Sequence, residues 1–176
     1  MRFWLGVASA DHAFGGRDGG FAQLGHGKHN AVASLKKGDW VIYYSPRTDL
    51  GRGETVQAFT TIGQVISDAP YRAAQAMDFH PYRVDVDYLT DARPAPIRPL
   101  LDRLKFTKGH GTNWGLAVRG SKRRLDAGDA RLIAEAMGVP DRILDFINQT
   151  IRVRGRSMAN LTFILANSLS YTTNIF

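Results

Sequence analysis

At 176 residues, with 44% hydrophobic and 22% charged side chains, the chain has room for one globular domain with a real core. It contains no cysteine, which excludes disulfides, thiolate metal sites and cysteine nucleophiles. A formal charge of +7 and an isoelectric point near 10 favour polyanionic partners by electrostatic steering. The excess is spread out: 19 basic and 14 acidic residues lie up to Val139, and 4 and 2 beyond it.

In chain order, "RFWLGVAS" (residues 2–9) is rich in aromatic and apolar residues and is predicted as a buried strand. The start lacks the apolar run of a signal peptide, and no stretch reaches the roughly 18 apolar residues of a membrane span, so a cytoplasmic location is expected. "GGFAQLGHGK" (residues 19–28) then combines four glycines with an amide, a histidine and a lysine. A phosphate-cradling P-loop fails on register, because Ala22 stands where its first glycine belongs and His29 where Ser or Thr should follow the lysine. No strong strand run leads into the loop, so the dinucleotide fingerprint fails too. Asn30 is predicted to cap a short helix over "AVASLKK", ended by Gly38.

"DWVIYYS" (residues 39–45), "ETVQAFTTIGQVIS" (54–67) and "PYRVDVDYL" (81–89) are further strands. Gly63 suggests a bulge or a close backbone approach. In the last of these strands Val84, Val86 and Tyr88 alternate with Arg83, Asp85 and Asp87, the pattern of a half-exposed strand. The proline-rich "DARPAPIRPLLDRL" is predicted as a loop leading into one helical turn, and "NWGLAVRGS" (113–121) as a short strand. "LDAGDARLIAEAMG" is the clearest helix: Asp126 caps it, Asp129 completes a capping-box variant, Leu132, Ile133 and Met137 form its apolar face, and Gly138 ends it. Strands at uneven spacing with small helices between them give an α+β class, a mixed β-barrel of about five to six strands decorated by short helices. Parallel βαβ layering is not expected, since the segments between strands are mostly too short for crossovers. After Val139 the character changes: Ile143, Leu144, Ile147 and Ile151 follow helical spacing, and the rest is apolar and rich in Asn, Thr and Ser. Residues 1–139 are therefore read as the domain, and 140–176 as a partly helical extension.

Catalytic motifs do not emerge. The five histidines form no HxxxH or HExxH pair; His26 and His29 are three apart, but in a glycine-rich loop that makes a metal pair a weak signal. There is no GxSxG elbow. Asp85 and Asp87 share one strand face, where a solvated face is the plainer reading. No cofactor and no metal are expected. The aromatic residues say more, since Tyr43 and Tyr44 are adjacent and leave opposite faces of one strand. One of the two is free to face a pocket, and aromatic faces beside amides and hydroxyls suit a flipped nucleobase.

The ordered blocks "WLGVAS", "GGFAQLGHGK", "GDWVIYYSP", "QAFTTIGQV", "PYRVDVDYL", "APIRPLLDRL", "NWG" and "LIAEAMGV" resemble a bacterial EVE-domain protein of the PUA-like superfamily over residues 1–139. The resemblance implies a β-barrel related to RNA-binding PUA and ASCH domains and to YTH readers of methylated adenine. It implies a non-catalytic module that reads a modified base, above all modified cytosine in DNA but also modified RNA, flipped into a pocket. Restriction-type defence proteins are the implied partners. Carried onto this chain, the pocket is bounded by Ala8, Ser9, Phe21, Gln23, His26, Tyr44, Ser45 and Trp114. Phe21 or Trp114 would stack on the base, Gln23 and Ser45 would bond its edge, Lys28 would meet a phosphate, and His26 could do either. Arg83 and Arg119 are further phosphate candidates. Each has a plainer reading: core packing for Phe21 and Trp114, satisfaction of loop backbone for Gln23, a solvated charge for Lys28. Two other functions stay open, a nuclease built on Lys28, Tyr44 and Asp85, and a sensor of free nucleotides or small molecules in the same pocket.

Overall fold

The computed structural model describes residues 1–51, 53–75 and 78–142. The expected helix on Ile143, Leu144, Ile147 and Ile151, and nearly all of the expected 140–176 extension, lie outside the described residues.

The aromatic and β-branched runs build the sheet. Strands β1 (Phe3–Val7), β2 (Phe21–Ala22), β3 (Trp40–Arg47), β4 (Thr55–Val65), β5 (Tyr71–Arg72), β6 (Tyr82–Tyr88), β7 (Ala95–Pro96) and β8 (Lys122–Leu125) form one curled mixed sheet. Its main order is β2-β6-β4-β3-β1-β8, with β5 added on β6 and β7 on β4. Five of the strands have four or more residues. The result is an α+β half-barrel decorated by α1 (Ala10–Asp18), α2 (His29–Val32), α3 (Ala127–Ala136) and short 3₁₀ turns.

The sheet is mixed, as expected, and one of its pairs is parallel. β1 and β3 pair in parallel, Phe3 opposite Trp40 through Val7 opposite Tyr44. The 32 residues between Val7 and Trp40 hold α1, β2 and α2, which is length enough for a crossover. Because the pair is parallel, the carboxyl ends of both strands emerge at the same side of the sheet.

Tyr43 and Tyr44 do leave opposite faces, but both are buried, at 1% and 2% exposure. Tyr43 joins the core of Trp4, Leu24, Val41, Val84 and Val86. Tyr44 packs edge-on against Phe59, ring centroids 6.0 Å apart. Between them the ladder slips, Tyr43 facing Thr61 and Tyr44 facing Phe59, so Thr60 is the extra residue of a bulge. Gly63 marks the other proposed feature, a close approach: a Cβ there would come within 2.7 Å of the Asp87 carbonyl and 2.9 Å of Tyr88 Cα.

The helices follow the sequence less closely. α3 is capped as expected, with the Asp126 carboxylate accepting from the Asp129 amide at 2.7 Å. Asp129, however, does not reach back to close a capping box; its carboxylate accepts from the Lys105 amide at 2.8 Å. Ile133 and Met137 are buried, Leu132 is half-buried, and Gly138 ends the helix at φ +81°. α2 is a single turn starting at His29, without the side-chain cap expected from Asn30. Residues 113–121 are not a strand. Gly111–Val118 is a 3₁₀ segment, opened by Gly111 at φ +52°, and the strand follows at Lys122.

Candidate functional site

A cleft of about 590 Å³ opens where the carboxyl ends of β1 and β3 meet the glycine-rich loop. Its floor is Val7, Ala8 and Ser9, continuing into Asp11 and His12 of α1. One wall is Gln23, Gly25 and His26; the rest of the lining comes from Asp49 and Leu50 after β3, Phe79 before β6, and Gly120 and Ser121 before β8. The volume is that of a small-ligand site, commonly about 300–1,000 Å³.

The glycines shape this wall. Gly25, His26 and Gly27 all take positive φ, +56°, +55° and +74°. At Gly27 a Cβ would fall within 2.7 Å of Pro81 Cα and 3.4 Å of the Phe79 ring, so only glycine lets the loop lie flat on the segment before β6. His26, left exposed at the rim, carries an uncommon backbone conformation for a side chain of its size.

Gln23 is the most constrained polar residue of the cleft, 7% exposed. Its backbone amide donates to the Tyr43 hydroxyl at 3.2 Å, and that hydroxyl donates back to the Gln23 carbonyl at 3.0 Å. Burial pushes the Tyr43 phenol well up from its ordinary range, keeping it a neutral donor. His12 Nε2 also bonds the Gln23 carbonyl, at 3.0 Å; a carbonyl only accepts, so Nε2 carries the proton. On the side chain, Arg83 Nε donates to Gln23 Oε1 at 3.0 Å. A guanidinium only donates, which fixes the amide's orientation and leaves Nε2 as a donor without a hydrogen-bond partner among the described residues. Arg83 in turn donates to Gln75 Oε1 at 2.8 Å and lies 3.7 Å from the centre of the Phe21 ring.

Among the expected pocket residues, Ala8, Ser9, Gln23 and His26 come together in this cleft. Phe21, Tyr44, Ser45 and Trp114 do not line it. Phe21 forms the two-residue strand β2, half-buried under Arg83. Tyr44 faces Phe59 on the other side of the sheet, its phenol pushed up to about 12 by burial against the lowering effect of Arg98. Ser45 is fully buried at the bulge, its hydroxyl 2.8 Å from that of Thr60. Trp114 lies in the 3₁₀ segment beside Arg98, which sits 5.9 Å from its ring. Of the phosphate candidates, Lys28 and Arg119 are exposed, two residues after the cleft-lining His26 and next to the cleft-lining Gly120, while Arg83 is committed to Gln23, Gln75 and Phe21. Lys28, Tyr44 and Asp85, the imagined nuclease set, do not line the cleft; Asp85 accepts the Tyr71 hydroxyl at 2.7 Å. Among the described residues no group of three or more His, Cys, Asp or Glu could hold a metal ion, and no helix is long and apolar enough to cross a membrane.

The sequence reading did not single out Asp11, His12, Asp49, Leu50, Phe79 and Ser121 as pocket residues. Asp11 and His12 had a signal, since they directly follow the strand end already assigned to the pocket. The others arrive from loops separated by tens of residues.

A family model described as the EVE domain matches residues 2–136. The chain is 46% identical over 140 residues to the UPF0310 protein msl3206 of Mesorhizobium japonicum, covering 78% of this chain and 93% of that one. It is 43% identical to a UPF0310 protein of Mycolicibacterium vanbaalenii, covering 80% and 95%. The crystal structure of protein Atu2648 from Agrobacterium tumefaciens matches with a TM-score of 0.47 at 10% identity, covering 80% and 95%.

Proposed function

This chain belongs to the EVE-domain family, and from that premise we propose that it is a non-catalytic nucleic-acid-binding module that reads a modified base in the cleft between β1, β3 and the glycine-rich loop. The observation that carries the reading is Gln23: a buried amide lining a base-sized cleft, turned by Arg83 so that its Nε2 donor has no hydrogen-bond partner among the described residues.

The cleft supplies the other contacts a flipped base requires. His26 and Phe79 offer ring faces for stacking, and the Asp11 and Asp49 carboxylates and the Ser9 and Ser121 hydroxyls offer acceptors. A donor at Gln23 suits a ring nitrogen or carbonyl of the base. The carboxylates suit an exocyclic amino group, as on cytosine, since Asp and Glu commonly accept from it. Thymine reverses this order of donor and acceptor. No lysine or arginine lines the cleft among the described residues, so phosphates are left to its rim, where Lys28 and Arg119 stand exposed. Modified cytosine in DNA is the preferred ligand class on this reading.

The test is a binding panel of oligonucleotides identical except for cytosine, 5-methylcytosine, 5-hydroxymethylcytosine or N6-methyladenine at one position. Preference for one modified base by about tenfold or more is expected, the scale of one good base contact. Equal affinity for all four removes the reading, and cleavage of the oligonucleotide in place of binding supports a nuclease.

A further inference from the structure

The loop between β3 and β4 carries Leu50, at 69% exposure the most exposed large apolar side chain among the described residues. It lines the same cleft as Gln23 and His26. The flanks of this loop are tied down. The Thr48 amide donates to the Glu54 carbonyl and the Glu54 amide to the Thr48 hydroxyl, both at 3.0 Å. Arg47 Nη1 donates to the Gly53 carbonyl at 3.0 Å, and the Asp49 carboxylate accepts from the Leu50 amide at 2.6 Å. The Asp11 amide donates to the Thr48 carbonyl at 3.0 Å, which anchors the loop to α1. Leu50 is thus presented outward at the mouth by a loop with bonded flanks. Phe79, the other exposed apolar group there, leans instead on the Gly27–Pro81 packing and forms wall.

A base turned out of a duplex leaves an unfilled step, and unstacking opposes its extrusion by a few kcal/mol. Proteins that open base steps fill the gap with an apolar side chain, leucine among them. We propose that Leu50 is such a wedge: it occupies the position vacated by the base that enters the cleft, so that the protein takes its target from double-stranded DNA. The inference rests on the base-reading role assigned to the cleft. It accounts for an exposed leucine beside a polar cleft on a basic protein.

The experiment compares wild type, Leu50→Ala and Leu50→Met on oligonucleotides carrying cytosine, 5-methylcytosine, 5-hydroxymethylcytosine or N6-methyladenine, each as single strand and as duplex. Leu50→Ala is expected to weaken duplex binding by about tenfold or more, given the unstacking it no longer offsets. Single-strand binding stays within about twofold, because no step has to be filled. Leu50→Met restores most of the duplex affinity. Equal losses on the two forms overturn the wedge and make Leu50 an ordinary wall residue, as does an unchanged duplex affinity in Leu50→Ala. Wild type that binds modified and unmodified single strands alike defeats the base-reading role itself, and the wedge with it.

Discussion

The two ends of the parallel β1–β3 pair are built from similar residue types and do opposite things. At the amino end, Asp39 is 2% exposed and its carboxylate accepts from the Arg2 amide, Arg2 Nε, the Trp4 indole and the Lys36 amide, at 2.8 to 3.1 Å. All four of these donors are spent on the protein itself. At the carboxyl end, Ser9, Gln23, His12 and Asp49 surround open space, and Gln23 keeps a donor in reserve. Ligands of open α/β sheets sit beyond the carboxyl ends of parallel strands for the same geometric reason, since the chain leaves there in divergent loops. One end holds the fold, and the other has groups to offer a ligand.

The sharpest way to break this comparison is at the Asp39 end. Asp39→Ala strands the Trp4 indole and the Arg2 amide without their acceptor, and should cost about 3 kcal/mol of stability, read from the denaturant midpoint. Base preference among the folded molecules should be unchanged. A loss below about 1 kcal/mol would mean that the network is not what holds this end.

At the open end the expected effects are smaller in stability and larger in recognition. Gln23→Ala should reduce the preference for the modified base by about tenfold, the value of one base-edge contact, with little change in melting temperature. Arg83→Ala should move the preference in the same direction by less, because the amide loses its orientation but not its donor. Its salt dependence separates two roles. A positioning residue leaves the slope of log K against log salt unchanged, whereas a phosphate contact lowers it by about one, as Lys28→Ala should do while weakening all oligonucleotides alike. A lowered slope for Arg83→Ala would return that residue to the phosphate-binding role its position in the sequence suggested.

What was legible beforehand follows from the range of each interaction. β1, β3, β4, β6 and α3 declare themselves through alternation, aromatic content and an Asp cap, all local signals. α1 does not, because "ADHAFGGRD" buries only Ala10, Ala13 and Gly16, and small residues leave no hydrophobic period to read. "NWGLAV" has strand composition, yet the glycines at 111 and 115 let it coil into a 3₁₀ segment. In the site, Ala8, Ser9, Gln23 and His26 were accessible because a strand end and a glycine loop both mark themselves in sequence. Tyr44 and Ser45 are instead committed to β4, Tyr44 against the Phe59 ring and Ser45 on the Thr60 hydroxyl, cross-strand partners that no single segment reveals. Leu50, Phe79 and Ser121 reach the cleft only through tertiary folding.

The most direct measurement follows the protein's amide and indole resonances by NMR during titration with the modified oligonucleotide that binds best. The largest shifts are predicted at Ala8, Ser9, Gly25, His26, Gly120 and Ser121, around the cleft, with the Trp4 indole on Asp39 and the Trp114 indole beside Arg98 unmoved. Shifts centred on Trp114 and its 3₁₀ segment, with the cleft silent, would contradict the account and place the ligand on the other face of the sheet.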